Sequence, residues 1–248
     1  RQRQMCIRDR TRGIVLHTTR YGESSLIVHC YTEQFGRQSY MVKGVRKSRK
    51  QNRSNLFQPL FILDFDIYYK DSREIQLVKE VNRAMPLNSL PFDISKSTQA
   101  IFMAEILYRV VREEEANPML AHFLVNSIQY LDALESPSPD FHIIFLFQLT
   151  RYLGFYPRNN YAEGNNLFNL NSGQFKSYIA DPDMQLSPED SLLWSRYMLL
   201  DLQSIKGVNF NSSHRKTMLN NLIRYFKFHV EGMGEIRSLD VLHTFFHN

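Results

Sequence analysis

Between Lys43 and Arg53 the chain carries Lys43, Arg46, Lys47, Arg49, Lys50 and Arg53, with no acid among them. Cations this dense can each displace a condensed counterion from a phosphate backbone, and that release supplies most sequence-independent affinity for nucleic acid. Arg20 and Arg37 fall in neighbouring predicted turns and would extend the same basic surface. Tyr21 and Tyr40 are candidate platforms for bases, which stack on such rings at about 1–3 kcal/mol each. A second strip is suggested by Lys216, Asn220, Arg224 and Lys227, which recur at helical spacing opposite the apolar Leu219, Leu222, Ile223 and Phe226.

Bond-making chemistry has less to work with. Asp64 and Asp66 stand two apart on one strand face, an arrangement with which a metal-dependent nuclease could hold a divalent ion, although exposed strand acids more commonly serve solubility. His243 and His247 are four apart and could ligate a metal if a third donor approached; Asp240 lies on roughly the same face, but the arrangement reads as accidental. His17, His29 and His142 lie in apolar runs and read as packed side chains. The chain has no P-loop, no glycine-rich dinucleotide fingerprint and no nucleophile elbow. Its two cysteines, Cys6 and Cys30, can build neither a disulfide framework nor a four-thiolate zinc site, and Cys30 reads as a buried, inert thiol. No catalytic residue, metal or cofactor is therefore expected.

The elements that must carry these residues follow from periodicity. From Thr11 to Arg83 the pattern is β throughout: Gly13–Thr18, Leu26–Thr32, Gln38–Gly44, Phe57–Tyr69 and Glu74–Val81, joined by turn chemistry at Tyr21–Ser25 and Glu33–Gly36. Five short antiparallel strands suit a closed barrel of the OB-fold type, since closure removes sticky edges. At Met85-Pro86-Leu87 the period changes to that of helices, predicted over Thr98–Val111, Met119–Leu134 and Phe141–Leu153. The last is apolar on nearly every side, so it should be central. Ser187-Pro188-Glu189-Asp190 combines a cap, a first-turn proline and acids at the positive end of the dipole. That helix should run to about Ile205, followed by helices from Ser212 to about Val230 and from Ser238 to Phe246. Residues 158–180 form an irregular insert with a hairpin near Leu167–Phe175. The expected organisation is a disordered or foreign tail at 1–10, a barrel domain at 11–84 and a helical domain at 85–248, giving an α+β fold.

Charge is distributed unevenly over this plan. Residues 11–84 hold 13 basic and 7 acidic side chains, residues 85–248 hold 13 and 17, and the first ten residues add a net +3. The positive charge thus belongs to the N-terminal third, which favours anionic partners there. No apolar stretch is long enough to span a bilayer and no secretory signal opens the chain, so a cytoplasmic location without membrane contact is expected.

One ordered set of signatures is specific: Gly13-Ile14-Val15-Leu16, Tyr21-Gly22-Glu23-Ser24-Ser25, Tyr31-Thr32-Glu33-Gln34-Phe35-Gly36, Val42-Lys43-Gly44-Val45-Arg46 and Leu56-Phe57-Gln58-Pro59-Leu60. This set resembles the bacterial RecO family of DNA repair and recombination mediators, with weaker echoes in Leu153-Gly154-Phe155-Tyr156-Pro157 and Ile236-Arg237-Ser238-Leu239. The resemblance implies an OB-fold followed by helices, binding of single- and double-stranded DNA, and strand annealing. It also implies contact with the acidic C-terminal tail of single-stranded-DNA-binding protein, partnership with RecR, and loading of RecA. A cationic rim for that tail is sought near Arg151 and Arg158. Some members carry a four-cysteine zinc site after the Leu-Gly-aromatic segment; Arg158 to Lys176 here contains no Cys and no His, so the hairpin should hold that corner by apolar packing. The rivals are an OB-type binder of RNA or ribosome, and the nuclease already mentioned.

Overall fold

Alternating apolar and polar residues give five strands that close on themselves: β1 (Ile7–Tyr21), β2 (Ser25–Thr32), β3 (Gly36–Val42), β4 (Ile62–Tyr69) and β5 (Ile75–Arg83). The computed structural model describes residues 7–45, 53–136, 138–205 and 210–246. Around the barrel the order is β1-β2-β3-β5-β4, with β4 returning to β1. Val28, Cys30, Tyr40, Leu63, Phe65 and Ile67 fill its core, each contributing on the order of 1.5–3 kcal/mol where fully buried. Cys30 is buried, and burial pushes its thiol far above the ordinary range, so it is inert as expected.

Three details differ from the pattern read above. β1 begins at Ile7, not Thr11: residues 7–10 pair with β4 from Ile7↔Tyr69 to Arg10↔Asp66. Charged residues hid this strand, because its acidic partners lie far away in sequence. β3 pairs with β5 in parallel, Ser39↔Ile75 to Met41↔Leu77, while the other barrel pairs are antiparallel. Finally, Phe57–Phe61 is a turn rather than strand. Leu60 takes φ 63° there, its N–H donates to Val15 O at 2.8 Å, and Val15 N–H donates to Phe61 O at 2.9 Å.

Two compact units emerge, Arg1–Ala133 and Leu134–Asn248. The first contains the barrel together with α1 (Ile94–Val110) and α2 (Pro118–Ala133), so the division falls after α2, whereas the barrel itself ends at Arg83. A polar staple fixes the entry to α1. The Asp132 carboxylate accepts N–H bonds from Asn88, Ser89 and Leu90 at 2.9, 2.9 and 2.6 Å. Burial alone would raise the pKa of this carboxyl, but those backbone donors outweigh it and hold the group below its usual range. The buried Lys96 ammonium donates to Asp132 O at 2.9 Å and Ser89 Oγ at 2.6 Å, placing a cation at the negative end of α2.

The second unit is built on α3 (Phe141–Tyr152), whose residues Phe141 to Phe147 are all buried. Around it lie the hairpin β6 (Leu167–Asn169) and β7 (Gln174–Lys176), then α4 (Pro188–Tyr197), α5 (Ser212–His229) and α6 (Ser238–Phe246). Ser187 caps α4 by accepting from Asp190 N–H at 3.1 Å. This helix stops at Tyr197 instead of continuing to Ile205. Asp201 ends the apolar run by accepting from Gln203 and Ser204 N–H, a local turn that competes with helix. The hairpin closes by rings, as the cysteine-free sequence suggested. Phe168 stacks on Trp194 at 4.4 Å and meets Phe175 edge-on at 5.0 Å, and Trp194 meets Tyr225 at 5.4 Å.

Candidate nucleic-acid interface

Directly opposed residues in a sheet project from the same face, so the register alone assembles the outer surface of β1, β2 and β3. One row is Thr19↔Ile27↔Met41 and the next is His17↔His29↔Ser39, with Tyr21↔Ser25 at the edge beside the β1–β2 turn. The two halves of this face have different fates. Near the turn, Tyr21 is 52% exposed and Ile27 and Met41 are half-buried, giving a small open apolar floor. Lys43 is exposed where the chain leaves β3, directly after Val42, which pairs with Leu26. Arg20, opposite Leu26, is exposed at the same rim.

The other half is only partly covered by α1, with His17 exposed and His29, Ser39 and Tyr108 half-buried. The Tyr108 ring lies 4.7 Å from His17 and 5.3 Å from His29, and His29 Nδ1 meets Ser39 Oγ at 2.9 Å. Burial, then the Arg37 and His17 charges, push His29 down to about 4. Arg37 stands over the Tyr108 ring at 4.4 Å and donates to the carbonyls of Tyr108 and Val111, the latter at 2.9 Å. It is thus bound to the C-terminal end of α1, where a cation complements the helix dipole, instead of facing a groove as expected. Tyr40 must also be corrected: it is 0% exposed, stacked on Phe65 at 4.8 Å inside the barrel, and offers no face to a base. The even-numbered positions of β2 and β3 point inward here, so strand parity would have chosen Ile27 and Met41 over Tyr40.

Arg46, Lys47, Arg49 and Lys50 lie outside the described residues, as does the side chain of Arg53, which opens a 3-10 turn at Arg53–Leu56. The residues flanking the run, Val45 and Phe57, are buried.

On one other wall of the barrel, cations and acids answer one another. On the β1–β4–β5 wall Arg10 Nε meets Asp66 Oδ1 at 2.7 Å, Arg12 Nε meets Asp64 Oδ1 at 3.1 Å, and Arg12 Nη1 meets Glu33 at 3.9 Å. These pairs line a cleft of about 490 Å³ that also includes Glu80. Acids outnumber cations there, so this wall repels phosphate. It also removes the nuclease geometry, since each aspartate faces an arginine directly across the sheet. Among the described residues no group of three or more His, Cys, Asp or Glu is placed to hold a metal. His243 Nε2 meets Asn220 Oδ1 at 3.1 Å, and His247 lies outside the described residues.

In the second unit, Lys216, Asn220, Arg224 and Lys227 are exposed on one side of α5, with Leu219, Leu222, Ile223 and Phe226 buried on the other. Arg224 also donates to Asp183 O at 3.1 Å and to Asn221 Oδ1 at 3.3 Å. Arg151 stacks over Tyr156 at 4.2 Å and donates to its hydroxyl at 2.9 Å, while Arg158 is exposed and its N–H donates to Gly173 O at 2.8 Å.

Comparison with known proteins agrees with this architecture. A family model described as "Recombination protein O N terminal" matches residues 5–85, and one described as "Recombination protein O C terminal" matches residues 91–239.

The chain belongs to the recombination protein O family.

Its relatives include the DNA repair protein RecO of Bacteroides fragilis (strain YCH46), 33% identical over 240 residues, covering 96% of this chain and 98% of the relative. That of Flavobacterium psychrophilum is 34% identical over 238 residues with the same coverage, and that of Azobacteroides pseudotrichonymphae genomovar. CFP2 is 29% identical over 237. The N-terminal family match starts within the segment that sequence reading set aside as a tail, in keeping with the strand observed from Ile7. These relatives carry the name DNA repair protein RecO. No helix among the described residues is long and apolar enough to cross a membrane.

Proposed function

We propose that this RecO-family chain is a recombination mediator whose barrel, residues 11–84 with the preceding strand residues, holds single-stranded DNA on the open half of the β1–β2–β3 face. The observation that carries this reading is the juxtaposition of Tyr21, Ile27 and Met41 with Lys43, where no ion pair among the described residues engages Arg20 or Lys43. Phosphates would contact Arg20, Lys43 and the Arg46, Lys47, Arg49, Lys50 and Arg53 side chains, while a base stacks on Tyr21. Contacts of this kind position a strand without reading its sequence. Double-stranded DNA would bind through the same cations. Annealing follows physically, because two polyanions neutralised on one surface repel less and meet at higher local concentration.

The helical domain, residues 85–248, adds a second backbone strip at Lys216, Arg224 and Lys227. Arg151 and Arg158 form the rim that receives the acidic tail of single-stranded-DNA-binding protein. With RecR, the chain would then help load RecA onto DNA coated by that protein, in the bacterial cytoplasm and at the nucleoid. Family membership supports these steps.

The test is a fluorescence-polarisation titration with single-stranded DNA and RNA of equal length, using the wild type and a variant with Arg46, Lys47, Arg49 and Lys50 changed to Glu. The variant should lose at least about tenfold in DNA affinity and show a shallower salt slope, by about 0.7 for each phosphate no longer neutralised. Its thermal melt should barely move, since exposed charges contribute little to stability. Unchanged DNA affinity would remove the basic run from the site, and tighter binding of RNA than of DNA would favour the RNA-binding rival.

A further inference from the structure

The acidic run Glu113-Glu114-Glu115 follows α1 after Val111 and the exposed Arg112, and the fold attaches it to the barrel at the end of the β1–β2–β3 face away from Lys43. Arg37 N–H donates to Glu113 O at 2.9 Å, and Tyr31 OH donates to Asn117 O at 3.3 Å. Gly36 in the β2–β3 turn lies so close that an added Cβ would stand 2.3 Å from Glu115 O and 2.6 Å from Glu113 O. Backbone therefore holds the run in place, and its three side chains are all exposed. Glu114 lines a small cleft there with Arg37, Tyr69, Asp71, Arg73 and Glu74. A strand lying on the open floor and advancing toward the β2–β3 turn would pass the half-buried Tyr108 ring beside His17 and His29 and then meet this acidic edge.

We propose that Glu113, Glu114 and Glu115 form an electrostatic stop that ends the DNA path, so that the barrel takes a short single-stranded segment confined to the Tyr21–Ile27–Met41 half of its face. The proposal rests on the DNA-binding reading above and adds to it the length and direction of the bound segment. A phosphate brought within a Debye length of three carboxylates is repelled, whereas one at the Lys43 end lies beyond the range over which exposed charges act. Lys43 and the stop together would give the site an open end and a closed end, with the remaining strand leaving past Lys43.

The experiment compares oligo-dT of about 6 and about 20 nucleotides, one near the lower limit and one beyond the upper limit of the site size of one OB-fold, on the full chain and on a Glu113→Gln, Glu114→Gln, Glu115→Gln variant. The run is attached through its backbone, so these side chains can change without undoing the attachment, and the thermal melt of the variant checks that the fold is kept. The short oligomer should bind both proteins equally. The long one should bind the variant about threefold more tightly, as expected for removing three partly screened repulsions, and the number of nucleotides occluded per protein should rise. A Glu→Lys version should steepen the salt slope for the long oligomer by about 0.7 per phosphate newly engaged. Equal tightening at both lengths would mean a mere change in net charge and would overturn the stop, as would no change at either length. If the wild type binds neither oligomer, the DNA-binding reading itself falls and the stop falls with it.

Discussion

Two glycines in the barrel share the same positive φ and differ sharply in what surrounds them, which makes them an informative pair. Gly22, in the β1–β2 turn, and Gly36, in the β2–β3 turn, both take φ +59°. A Cβ added at Gly22 meets nothing within 4 Å, whereas at Gly36 it would stand 2.3 Å from Glu115 O. Gly22→Ala should therefore cost only the left-handed penalty, about 1 kcal/mol. Gly36→Ala incurs the same penalty and must in addition push the 113–115 backbone off the turn. That shift breaks the Arg37 N–H to Glu113 O bond and loosens the guanidinium from the end of α1, adding about 2 kcal/mol for buried polar groups left without partners. The expected losses are about 1 and about 3 kcal/mol. Trp194, the single tryptophan, lies in the second unit, so its fluorescence does not report on the barrel. The suitable assay is amide hydrogen exchange of barrel residues, read together with urea unfolding followed by circular dichroism. Protection of the Arg37 amide should fall in Gly36→Ala and persist in Gly22→Ala. Equal destabilisation by the two substitutions would refute the claim that the acidic run is docked through its backbone.

Two further outcomes can be measured on the same protein. Gly173 takes φ +65° and a Cβ there would lie 2.7 Å from Tyr225 OH, whose bond to Phe155 O is 2.6 Å; Gly173→Ala should cost about 3 kcal/mol and shift Trp194 emission, because Trp194 packs on both Phe168 and Tyr225, and an unchanged emission maximum would contradict that packing. His29 is pushed down to about 4, first by burial and then by Arg37 and His17. The unfolded chain therefore binds a proton near pH 6.5 that the fold refuses, so this histidine's contribution is complete above pH 6.5 and is lost as pH falls toward about 4. Urea midpoints of the first unit should decline across that window in the wild type and flatten in His29→Gln; parallel pH profiles for the two would count against it.

Much of the fold could be read from residue order because local and global preferences agree there. The parity of Val28, Cys30 and Tyr40, the Ser187 cap and the amphipathic stripe of α5 each point to the structure that forms. What escaped reading depends on partners remote in the chain. Residues 7–10 look like a charged tail until β4 supplies Asp64 and Asp66 opposite Arg12 and Arg10. The parallel β3–β5 pair has no sequence signature of its own, because parallel and antiparallel neighbours show the same alternation. For the site, residue type was a poorer guide than strand parity. Tyr40 is aromatic yet lies in the core, while the half-buried Ile27 and Met41 form the open floor. Arg37 looked like every other exposed cation until α1 presented its terminal carbonyls to it.

The aromatic clasp on β6 and β7 carries a consequence for how this protein tolerates its surroundings. A corner fastened by Phe168, Phe175, Trp194 and Tyr225 has no thiolate to lose to peroxide and nothing for a chelator to extract. Its strength instead follows the temperature dependence of apolar burial, so cold should loosen it sooner than oxidants or metal starvation would.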